Sequence, residues 1–412
     1  MERLAIRGGV PVLDQPHTPV WPRITADHVK VITATLVNDA ISYYGREGHV
    51  EALEDAWSAR LGGRSCLAVS SGTAALHSGY FALGAERGEE VIVPTNTFLA
   101  TVMPLIQCGA IPVLADAEGD TGNMDPEAVE ALITPRTVGI GVTHLWGHPC
   151  NMDRLMEIAR RHGLWLLEDC SHAHAAQYFG KEVGTFGDAA AFSFQGAKLV
   201  FAGQGGLLSS RDSQTHERAV LFGHFRVRSE QDGGALKKYA STGFGLNYRM
   251  HPLAAALAVM STADLEERVR VRTRLHDRLT ARLSAVPGLI PPITRAGCTR
   301  GAYYGYKVGM DGEWLRLDRS VLVEVFRAEG LDVSIPGSKP LHMLPFFSEG
   351  EAPVFKRAEH ANRKYAIDSL PQASYLWRTT LSLPTFTFDD ESSLVDKYAM
   401  GFEKVYAHLG SL

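Results

Sequence analysis

The stretch VIVPTNTFLATVMPLIQCGAIPVLA (residues 91–115) contains no charged residue and is long enough to cross a bilayer as a helix. Pro94, Pro104 and Pro112 interrupt it, and a proline inside a helix removes a backbone hydrogen bond. Prolines at this spacing favour a strand, a helix and a second strand inside a protein core. The stretch therefore predicts an interior unit of the protein and not a membrane span.

The same alternation of strands and helices extends over residues 66–210. Apolar runs typical of strands are EEVIVP (89–94), IPVLAD (111–116), TVGIGVTHL (137–145), LWLLED (164–169) and DAAAFSF (188–194). Helical stretches lie between them, namely TAALHSGYFAL (73–83), TFLATVMPLIQCG (97–109), DPEAVEALI (125–133) and NMDRLMEIARRHG (151–163). This alternation predicts an α/β fold whose mostly parallel central sheet carries helices on both faces. Such sheets bind ligands at the carboxyl ends of their strands.

The chain after this region predicts a second domain. Residues 253–279 have the composition of one extended helix that leaves the α/β unit, and the pattern weakens into shorter elements beyond it. We therefore predict an N-terminal segment and large domain over residues 1–262. A smaller C-terminal α+β domain is predicted over residues 263–412.

Composition limits the possible partners. The 412 residues are 45% hydrophobic, carry a formal net charge of −5 and contain no Lys/Arg cluster, which argues against a nucleic-acid partner. The start MERLAIRGGV lacks the apolar core of a signal peptide. Five scattered cysteines without CxxC spacing indicate a reducing compartment, and neither a disulfide framework nor a zinc site. We predict a cytoplasmic protein that binds no metal, nucleic acid or membrane.

Two motifs place reactive side chains near predicted strand ends. FSFQGAKLVFAGQGG (192–206) contains Lys198 as its only charge, whereas a solvated face would supply neighbouring charges. LLEDCSHAHAA (166–176) ends a buried strand with Glu168 and Asp169, and His172 and His174 follow. A carboxylate there is compatible with a metal site, an acid–base pair or a counter-ion for a protonated ring nitrogen.

A third motif, VSSGTAAL (69–76), is a turn of small residues that leads into a helix. Its free backbone N–H groups and the Thr73 hydroxyl can hold a phosphate, although such turns are also ordinary helix caps. A lysine, an acid and an anion-binding turn together suit pyridoxal phosphate, which needs an amine, a partner for its ring nitrogen and a phosphate cradle.

Several blocks of the chain sharpen this assignment. They are SGTAAL (71–76), VPTNTFLAT (93–101), THLWGHPCNMD (143–153), EDCSHAH (168–174), FSFQGAKLVFAGQGG (192–206) and LNYRMHPLAAALA (246–258). In their order and spacing they resemble the DegT/DnrJ/EryC1/StrS aminotransferases. These are fold-type I pyridoxal phosphate enzymes that aminate keto sugars and keto cyclitols.

The resemblance implies roles for individual residues. Lys198 matches the Schiff-base lysine, and Asp169 matches the partner of the pyridine nitrogen. His172 stands where many relatives have a glutamine near the phenolic oxygen of the cofactor. An imidazole can make the same hydrogen bond, and a structural histidine is the alternative.

Further matches concern the ring and the phosphate. Phe98 matches the aromatic residue that stacks on the pyridine ring, although it could equally belong to the core. Gly72, Thr73 and Ser193 match phosphate contacts. Asn247 matches a phosphate contact made from a second subunit, so the resemblance implies a homodimer with shared active sites.

The reaction follows from the same resemblance. Gln204 replaces an acidic residue that is usual in the family, which removes whatever that charge does for the loop. Lys198 is retained, whereas dehydratases of the family have a histidine there, and this favours transamination. The implied donor is glutamine or glutamate, and the cofactor would cycle between pyridoxal phosphate (PLP) and pyridoxamine phosphate (PMP).

The acceptor is predicted from weaker signals. EDCSHAH and YYGY resemble the glutamine-dependent cyclitol aminotransferases of aminoglycoside pathways more than typical nucleotide-sugar enzymes. We therefore predict a keto-cyclitol acceptor, with a nucleotide-activated keto sugar as the alternative. Candidate substrate residues are Tyr43, Tyr44, Tyr303, Tyr304 and His342, with Arg46 as a candidate phosphate ligand. The four tyrosines could equally be packing residues.

Three other functions remain open at this point. A different pyridoxal phosphate reaction, such as elimination or aromatisation, would use the same motifs, and the amino-hydroxybenzoate synthases resemble the chain around FSFQ and AGQGG. A non-catalytic regulator would need a DNA-binding element, and none is evident. A dinucleotide-dependent oxidoreductase would need GxGxxG directly after an early strand, where the chain has none.

Overall fold

The computed structural model describes residues 3–15, 19–38, 41–350 and 363–412. The strands in these ranges are β1 Ser65–Val69, β2 Glu90–Pro94, β3 Ile111–Ala115, β4 Thr137–Thr143, β5 Trp165–Asp169, β6 Gln177–Tyr178, β7 Lys181–Glu182, β8 Ala189–Ser193, β9 Gly206–Ser210, β10 Leu289–Ile290, β11 Cys298–Thr299, β12 Tyr306–Met310 and β13 Thr380–Leu383. The α-helices are α1 Ala26–Asn38, α2 Gly48–Arg60, α3 Gly72–Leu83, α4 Met103–Cys108, α5 Pro126–Ala131, α6 Met152–His162, α7 Ser213–Gly223, α8 Val227–Asp232, α9 Pro252–Ala263, α10 Leu265–Leu283, α11 Arg319–Ala328, α12 Pro345–Ser348, α13 Pro371–Thr379 and α14 Ser392–Tyr406. None of the described helices is both long enough and apolar enough to pass through a bilayer.

The central sheet has seven strands in the order β1-β9-β8-β5-β4-β2-β3. Strand β9 runs antiparallel to both of its neighbours, and the other pairs are parallel. The predicted mostly parallel sheet is therefore confirmed, and the five predicted strands correspond to β2, β3, β4, β5 and β8. Strands β1 and β9 were missed because serines and a glycine at their ends shorten the apolar run.

Helices cover both faces of this sheet, as predicted. Successive strand residues point to opposite faces, so Leu167 packs in the core beneath α3, α4 and α7, whereas Leu166 packs in the core beneath α6. On the second face Phe192 also packs near α2 and α9, where it contacts the ring of Trp57. Apolar packing on both faces of the sheet holds the strands in place, so residues at their carboxyl ends are rigidly positioned for a site.

The prediction of one helix over residues 253–279 is wrong. Helix α9 ends at Ala263 and α10 begins at Leu265, because Asp264 between them has φ −90° and ψ 0°. The two helices pack on different cores: Ala255 of α9 lies beside α2, and Leu275 of α10 lies in the C-terminal core. The change of direction allows each apolar face to meet its own partner.

The predicted helix over residues 97–109 is also shorter than expected. A 3₁₀ turn over Leu99–Thr101 comes first, and α4 begins only at Met103 with Pro104 in its first turn. Proline is well tolerated there because the first N–H groups of a helix have no intrahelical partner. The irregular start leaves Phe98 and the threonines beside it free to face the sheet edge.

The C-terminal part is built around an antiparallel three-stranded sheet in the order β10-β12-β13. Helices α10, α11 and α14 contribute to its apolar core, which also contains Leu4 from the N-terminal segment. The backbone N–H groups of Ala5 and Val12 donate to the Glu329 carboxylate and tie that segment to this core. The division into residues 1–262 and 263–412 stays a prediction.

Candidate active site

A cavity of about 650 Å³ lies at the carboxyl ends of the parallel strands. The loops after β1, β2, β4, β5 and β8 supply one wall, as expected for an α/β sheet. Residues 304, 305 and 307 near β12 and the loop 336–338 supply the facing wall. The cavity is therefore enclosed between the large sheet and the C-terminal part of the chain.

The turn between β1 and α3 has the geometry of an anion site. Ser71 caps α3 by accepting a hydrogen bond from the N–H of Ala74, and Ser71, Gly72 and Thr73 at the start of this helix line the cavity. A Cβ at Gly72 would lie 2.6 Å from the Cβ of Ser193, so only glycine permits this approach of α3 to β8. The Thr73 side chain lines the cavity beside it.

Asp169 is a buried carboxylate, 4% exposed, at the end of β5. Its Oδ1 accepts a hydrogen bond from the Ser171 N–H at 3.0 Å, and its Oδ2 accepts one from the Thr101 hydroxyl at 2.7 Å. Thr101 Oγ1 in turn lies 2.7 Å from the Thr97 hydroxyl and 3.3 Å from the Thr143 hydroxyl. Because Thr101 donates to Asp169, the other two hydroxyls can donate to Thr101, and the chain of hydroxyls fixes the carboxylate as an acceptor.

Lys198 reaches the same cavity from the loop after β8 and is 8% exposed. Burial lowers the pKa of its ammonium group to about 8, although the charge of Asp169 acts in the opposite direction. Its Nζ lies 3.7 Å from the centre of the Tyr304 ring. The aromatic face stabilises the ammonium form and covers it from water.

The His172 ring stacks on Tyr304, the same ring that Lys198 contacts, with ring centres 4.3 Å apart. Burial holds the pKa of the imidazole well below its usual value, and the positive charges of Lys198 and Lys307 lower it further. Its Nδ1 atom is buried and has no hydrogen-bond partner within the described residues. A neutral imidazole with an unsatisfied nitrogen is suited to bind a polar group of a ligand.

Three potential metal ligands, His144, Glu168 and Cys170, have ligand atoms within 4.8 Å of one another. The Glu168 carboxylate accepts hydrogen bonds from the N–H groups of Gly184, Phe186 and Gly187. His144 Nδ1 accepts from a backbone N–H, so Nε2 carries the proton and donates to Glu168 at 3.1 Å. These bonds use the atoms with which His144 and Glu168 would bind a metal, and they brace the end of β5.

The cavity contains what PLP requires. Lys198 offers an amine, Asp169 an acceptor for a protonated ring nitrogen, and the start of α3 with Ser193 a phosphate cradle. The unsatisfied Nδ1 of His172 and the close approach at Gly72 are features that such a ligand would explain. The donor set therefore fits this cofactor.

Comparison with known proteins decides the class. Residues 22–385 match the sequence profile of the DegT/DnrJ/EryC1/StrS aminotransferase family. The chain belongs to this family. The L-glutamine:scyllo-inosose aminotransferase of Streptomyces griseus is 37% identical over 323 residues, which cover 76% of this chain and 75% of that protein. The GDP-perosamine synthase of Caulobacter vibrioides is 32% identical over 338 residues, which cover 82% and 88% of the two chains.

A solved structure supports the same assignment. The crystal structure of 3-amino-5-hydroxybenzoic acid synthase matches with a TM-score of 0.81 at 26% identity, over 97% of this chain and all of that one. The predicted fold type and the predicted aminotransferase class are thus confirmed. As a member of the DegT/DnrJ/EryC1/StrS family, the chain is an enzyme, and the regulator and oxidoreductase alternatives are set aside.

Within this family member the cavity collects most of the predicted cofactor residues. Its lining includes Gly72, Thr73, Phe98, Asp169, His172, Ser193 and Lys198, together with the substrate candidate Tyr304. Phe98 is 54% exposed and is therefore not a core residue of the single chain. Gln204, which replaces the usual acid, also lines the cavity.

Two other substrate candidates lie outside the cavity wall. Tyr303 is 2% exposed and stacks on the His276 ring inside the C-terminal core. His342 is fully buried and bonds the Thr95 hydroxyl and the Ser374 hydroxyl. Both side chains have the contacts of packing residues. This was the alternative left open for Tyr303, whereas for His342 it corrects the prediction of a substrate residue.

Of the remaining candidates, Tyr44 and Asn247 are exposed, Arg46 is half-buried and Tyr43 is buried. Arg46 forms ion pairs with Glu51, Glu54 and Asp55, and these carboxylates compensate the charge of its guanidinium group. The exposed Tyr44 ring lies 4.5 Å from the Arg249 guanidinium, and Arg249 also donates to the Asn247 side chain. Tyr43 packs in the core of this region. None of the candidates Tyr43, Tyr44, Arg46 and Asn247 lines the cavity of the single chain as described.

Sequence reasoning missed four residues of this site. Thr97 and Thr101 lay within the family block VPTNTFLAT, but their contact with Asp169 depends on the irregular start of α4. Trp146 lines the cavity with φ +51°, a backbone shape that no sequence pattern signalled. Lys307 alternates with buried residues of β12, and this alternation was the available signal that it points away from the core.

Proposed function

We propose that this family member is a PLP-dependent aminotransferase that moves an amino group from glutamine or glutamate to a keto-cyclitol. The observation that carries the proposal is the enclosure of Lys198 and Asp169 in one cavity beside the phosphate cradle of α3. Similarity to an L-glutamine:scyllo-inosose aminotransferase supports both substrates. We also propose aminoglycoside-type biosynthesis as its setting.

The residues around the cavity divide the work of holding the cofactor. PLP supplies an electron sink for bonds at an amino-bearing carbon. Asp169, oriented by Thr101 and Ser171, would bind the protonated ring nitrogen. The N–H groups at the start of α3 and the Ser193 hydroxyl would bind the phosphate, and His172 Nδ1 would bind the phenolic oxygen.

Lys198 is the residue that moves protons. Its lowered pKa of about 8 leaves a far larger neutral fraction near pH 7.5 than an exposed lysine has. A neutral Nζ can take a proton from the substrate carbon and return it one step later. The Tyr304 ring beside Nζ excludes water, and the low pKa of His172 keeps its imidazole uncharged.

The charges of the cavity favour an uncharged acceptor. Asp169, Lys198 and Lys307 are the three Asp, Glu, Lys or Arg side chains among the described lining residues. The diphosphate of a nucleotide sugar usually calls for several cations or arginine forks. A keto-cyclitol needs mainly hydroxyl-binding groups, which the lining offers in Asn96, Ser171, Gln195 and Ser338.

A nucleotide-activated keto sugar is the second candidate acceptor. The similarity to GDP-perosamine synthase favours it, and a second subunit could bring further cations to the cavity. To decide, the protein is loaded with PMP and mixed with scyllo-inosose, 2-deoxy-scyllo-inosose or a nucleotide-linked keto sugar. Return of the visible absorbance of the PLP form with a cyclitol ketone is expected. Return with the nucleotide sugar alone would overturn the cyclitol assignment.

The role of Lys198 is tested separately from turnover. Borohydride treatment of the PLP-loaded protein should attach the cofactor permanently to the peptide that contains Lys198, as detected by mass spectrometry. Lys198→Ala should fold normally and give no such adduct. An adduct in the variant would show that another amine holds the cofactor.

We further propose a homodimer in the cytoplasm. Helix α1 exposes Val29, Leu36 and Val37, an apolar surface that a second copy could cover. A depression beside it is lined by Arg249 and by Gln204, which also lines the active-site cavity. A partner seated there would lie next to the active site.

Subunit mixing tests the predicted role of Asn247 in the partner's site. Lys198→Ala and Asn247→Ala chains, each inactive alone, should regain part of the activity when they are mixed and exchange subunits. Hybrid dimers would contain one site with both residues intact. Failure to regain activity despite demonstrated exchange, or a monomer by sedimentation, would contradict the proposal.

A further inference from the structure

Lys307 is a second lysine in the active-site cavity, and the steps described above do not use it. It lies on β12 between Tyr306 and Val308, which are buried in the C-terminal core, so its side chain points to the opposite face and into the cavity. Its ammonium group donates a hydrogen bond to the Ser382 hydroxyl on the neighbouring strand β13. Burial lowers the pKa of Lys307 to about 8.

The charge of Lys307 lacks a protein counter-ion. Among the described residues no carboxylate lies within 4 Å of its Nζ, and Ser382 uses one of its three N–H protons. A mostly buried ammonium without an anion costs free energy, so such groups are usually paired with a charge or serve a ligand. In the cavity Asp169 and Lys198 have cofactor roles, which leaves Lys307 as the unassigned charge.

The position of Lys307 separates it from the phosphate cradle. The cradle lies at the carboxyl ends of β1 and β8, in the part of the central sheet toward its β1 edge. Lys307 lowers the pKa of His172, which follows β5. A Cβ at the neighbouring Gly305 would lie 3.5 Å from Lys307 Nζ and 3.8 Å from the Trp146 ring, which follows β4. The ammonium therefore faces the loops after β4 and β5, where a substrate beside His172 would lie.

We propose that Lys307 binds the carboxylate of the amino donor, and of the keto acid that the donor becomes, and holds it beside Lys198. The inference rests on the proposed function, because an amino acid brings a carboxylate next to the carbon that loses its proton, whereas a keto-cyclitol brings no charge. Ser382 is a positioning residue that directs the ammonium group. Lys307 thus distinguishes the two substrates that share one cavity.

A binding experiment tests this proposal without turnover. Calorimetric titration of the PLP-loaded protein compares glutaramate, which is glutamine without its amino group, with the neutral glutaramide. We expect Lys307→Met to weaken glutaramate binding at least tenfold and to leave glutaramide binding unchanged. Lys307→Arg should retain most of the glutaramate affinity. Lys237→Met, which removes an exposed charge outside the cavity, is the matched control and should behave as wild type.

The two half-reactions provide the second readout. In the donor half-reaction, Lys307→Met should raise the glutamine concentration for half-maximal rate at least tenfold. In the acceptor half-reaction, starting from the PMP form, the same variant should keep the wild-type dependence on ketone concentration. Lys307→Gln serves if the methionine variant does not fold.

Several outcomes would overturn the proposal. Equal weakening of glutaramate and glutaramide, or no weakening of either, would show that Lys307 does not bind a carboxylate. An effect confined to the acceptor half-reaction would assign Lys307 to an anion of the acceptor, such as a phosphate. If glutaramate binding depends on Lys307 but no amino acid reacts in the wild type, the proposed function fails and the carboxylate site stands.

Discussion

Replacing Thr101 with valine should remove the hydrogen bond that links the Asp169 carboxylate to the hydroxyls of Thr97 and Thr143. Thr101→Val preserves the shape of the side chain and removes the hydroxyl that donates to Asp169 at 2.7 Å. Both residues are buried, so little water can replace the lost bond. The remaining hydroxyls of Thr97 and Thr143 still bond each other at 2.9 Å. The perturbation therefore falls mainly on the carboxylate.

The size of the effect follows from this geometry. A hydrogen bond to a charged group contributes about 1.5–3 kcal/mol, so the free energy of unfolding of the cofactor-free protein should fall by that amount. Because Asp169 is then less well oriented, we expect PLP affinity to fall roughly tenfold, which corresponds to about 1.4 kcal/mol. Urea unfolding measures the first quantity, and fluorescence titration with PLP measures the second.

Two control variants isolate the role of the charge. Thr143→Val removes a hydroxyl that touches Thr97 and Thr101 but not Asp169, so it should cost only about 0.5–1.5 kcal/mol of stability. Its PLP affinity should stay within about twofold of wild type, because the bond to the carboxylate is intact. Thr101→Ser keeps the donor and should retain the wild-type PLP affinity, while the loss of its buried methyl group should cost roughly 1 kcal/mol of stability. Equal loss of PLP affinity in Thr101→Val and Thr143→Val would refute the reasoning.

Three further predictions follow from single contacts. Gly72→Ala would place a Cβ 2.6 Å from the Cβ of Ser193 and should lower the free energy of unfolding by about 1–3 kcal/mol. Gly196→Ala, whose Cβ would lie 3.9 Å from its nearest neighbour, should unfold in urea as wild type does. Burial lowers the pKa of Lys198 from 10.5 to about 8, so between these two pH values the unfolded chain binds more protons than the folded one. The free energy of unfolding of the cofactor-free protein should therefore rise from pH 8 to pH 10 more steeply than that of Lys198→Met. Burial raises the pKa of Glu168, but its hydrogen bonds outweigh this effect and lower the pKa overall, so the free energy of unfolding should fall as pH drops below 4.5. In urea titrations Glu168→Gln should lose about 3 kcal/mol of stability at pH 7 and should show part of this acid dependence no longer.

The sequence predicted those parts of the fold that depend on local apolar patterns. The runs that became β2 to β5 and β8 are mostly apolar, so their strands were evident. Strand β9 ends in two serines, and it is defined by antiparallel pairing with its sheet neighbours β1 and β8, of which β1 is far from it in sequence. The break at Asp264 could not be predicted either, because it depends on two cores that meet at that residue.

The candidate site likewise contains residues that local sequence patterns located and residues whose place depends on distant parts of the chain. Lys198 and Asp169 could be located because each follows a strand in a block typical of the family. The threonines that orient Asp169 could not, since their contact joins the loop after β2 to the end of β5. Tyr303 and Tyr304 are adjacent in sequence, but φ +46° at Tyr303 places the first ring in the core, while the second lies in the cavity.

This division has a physical origin that bears on substrate choice. The proposed cofactor ligands stand at the ends of strands in one sheet, where packing on both faces fixes them and local sequence patterns identify them. The facing wall comes from Tyr304, Lys307 and the loop 336–338, whose position depends on how the C-terminal part packs against that sheet. Substitutions of Lys307 or in the loop 336–338 can alter the substrate without removing a contact of Lys198 or Asp169, whereas Tyr304 contacts Lys198 directly. Acceptor and donor specificity should therefore be sought on β12 and its neighbouring loop rather than among the cofactor ligands.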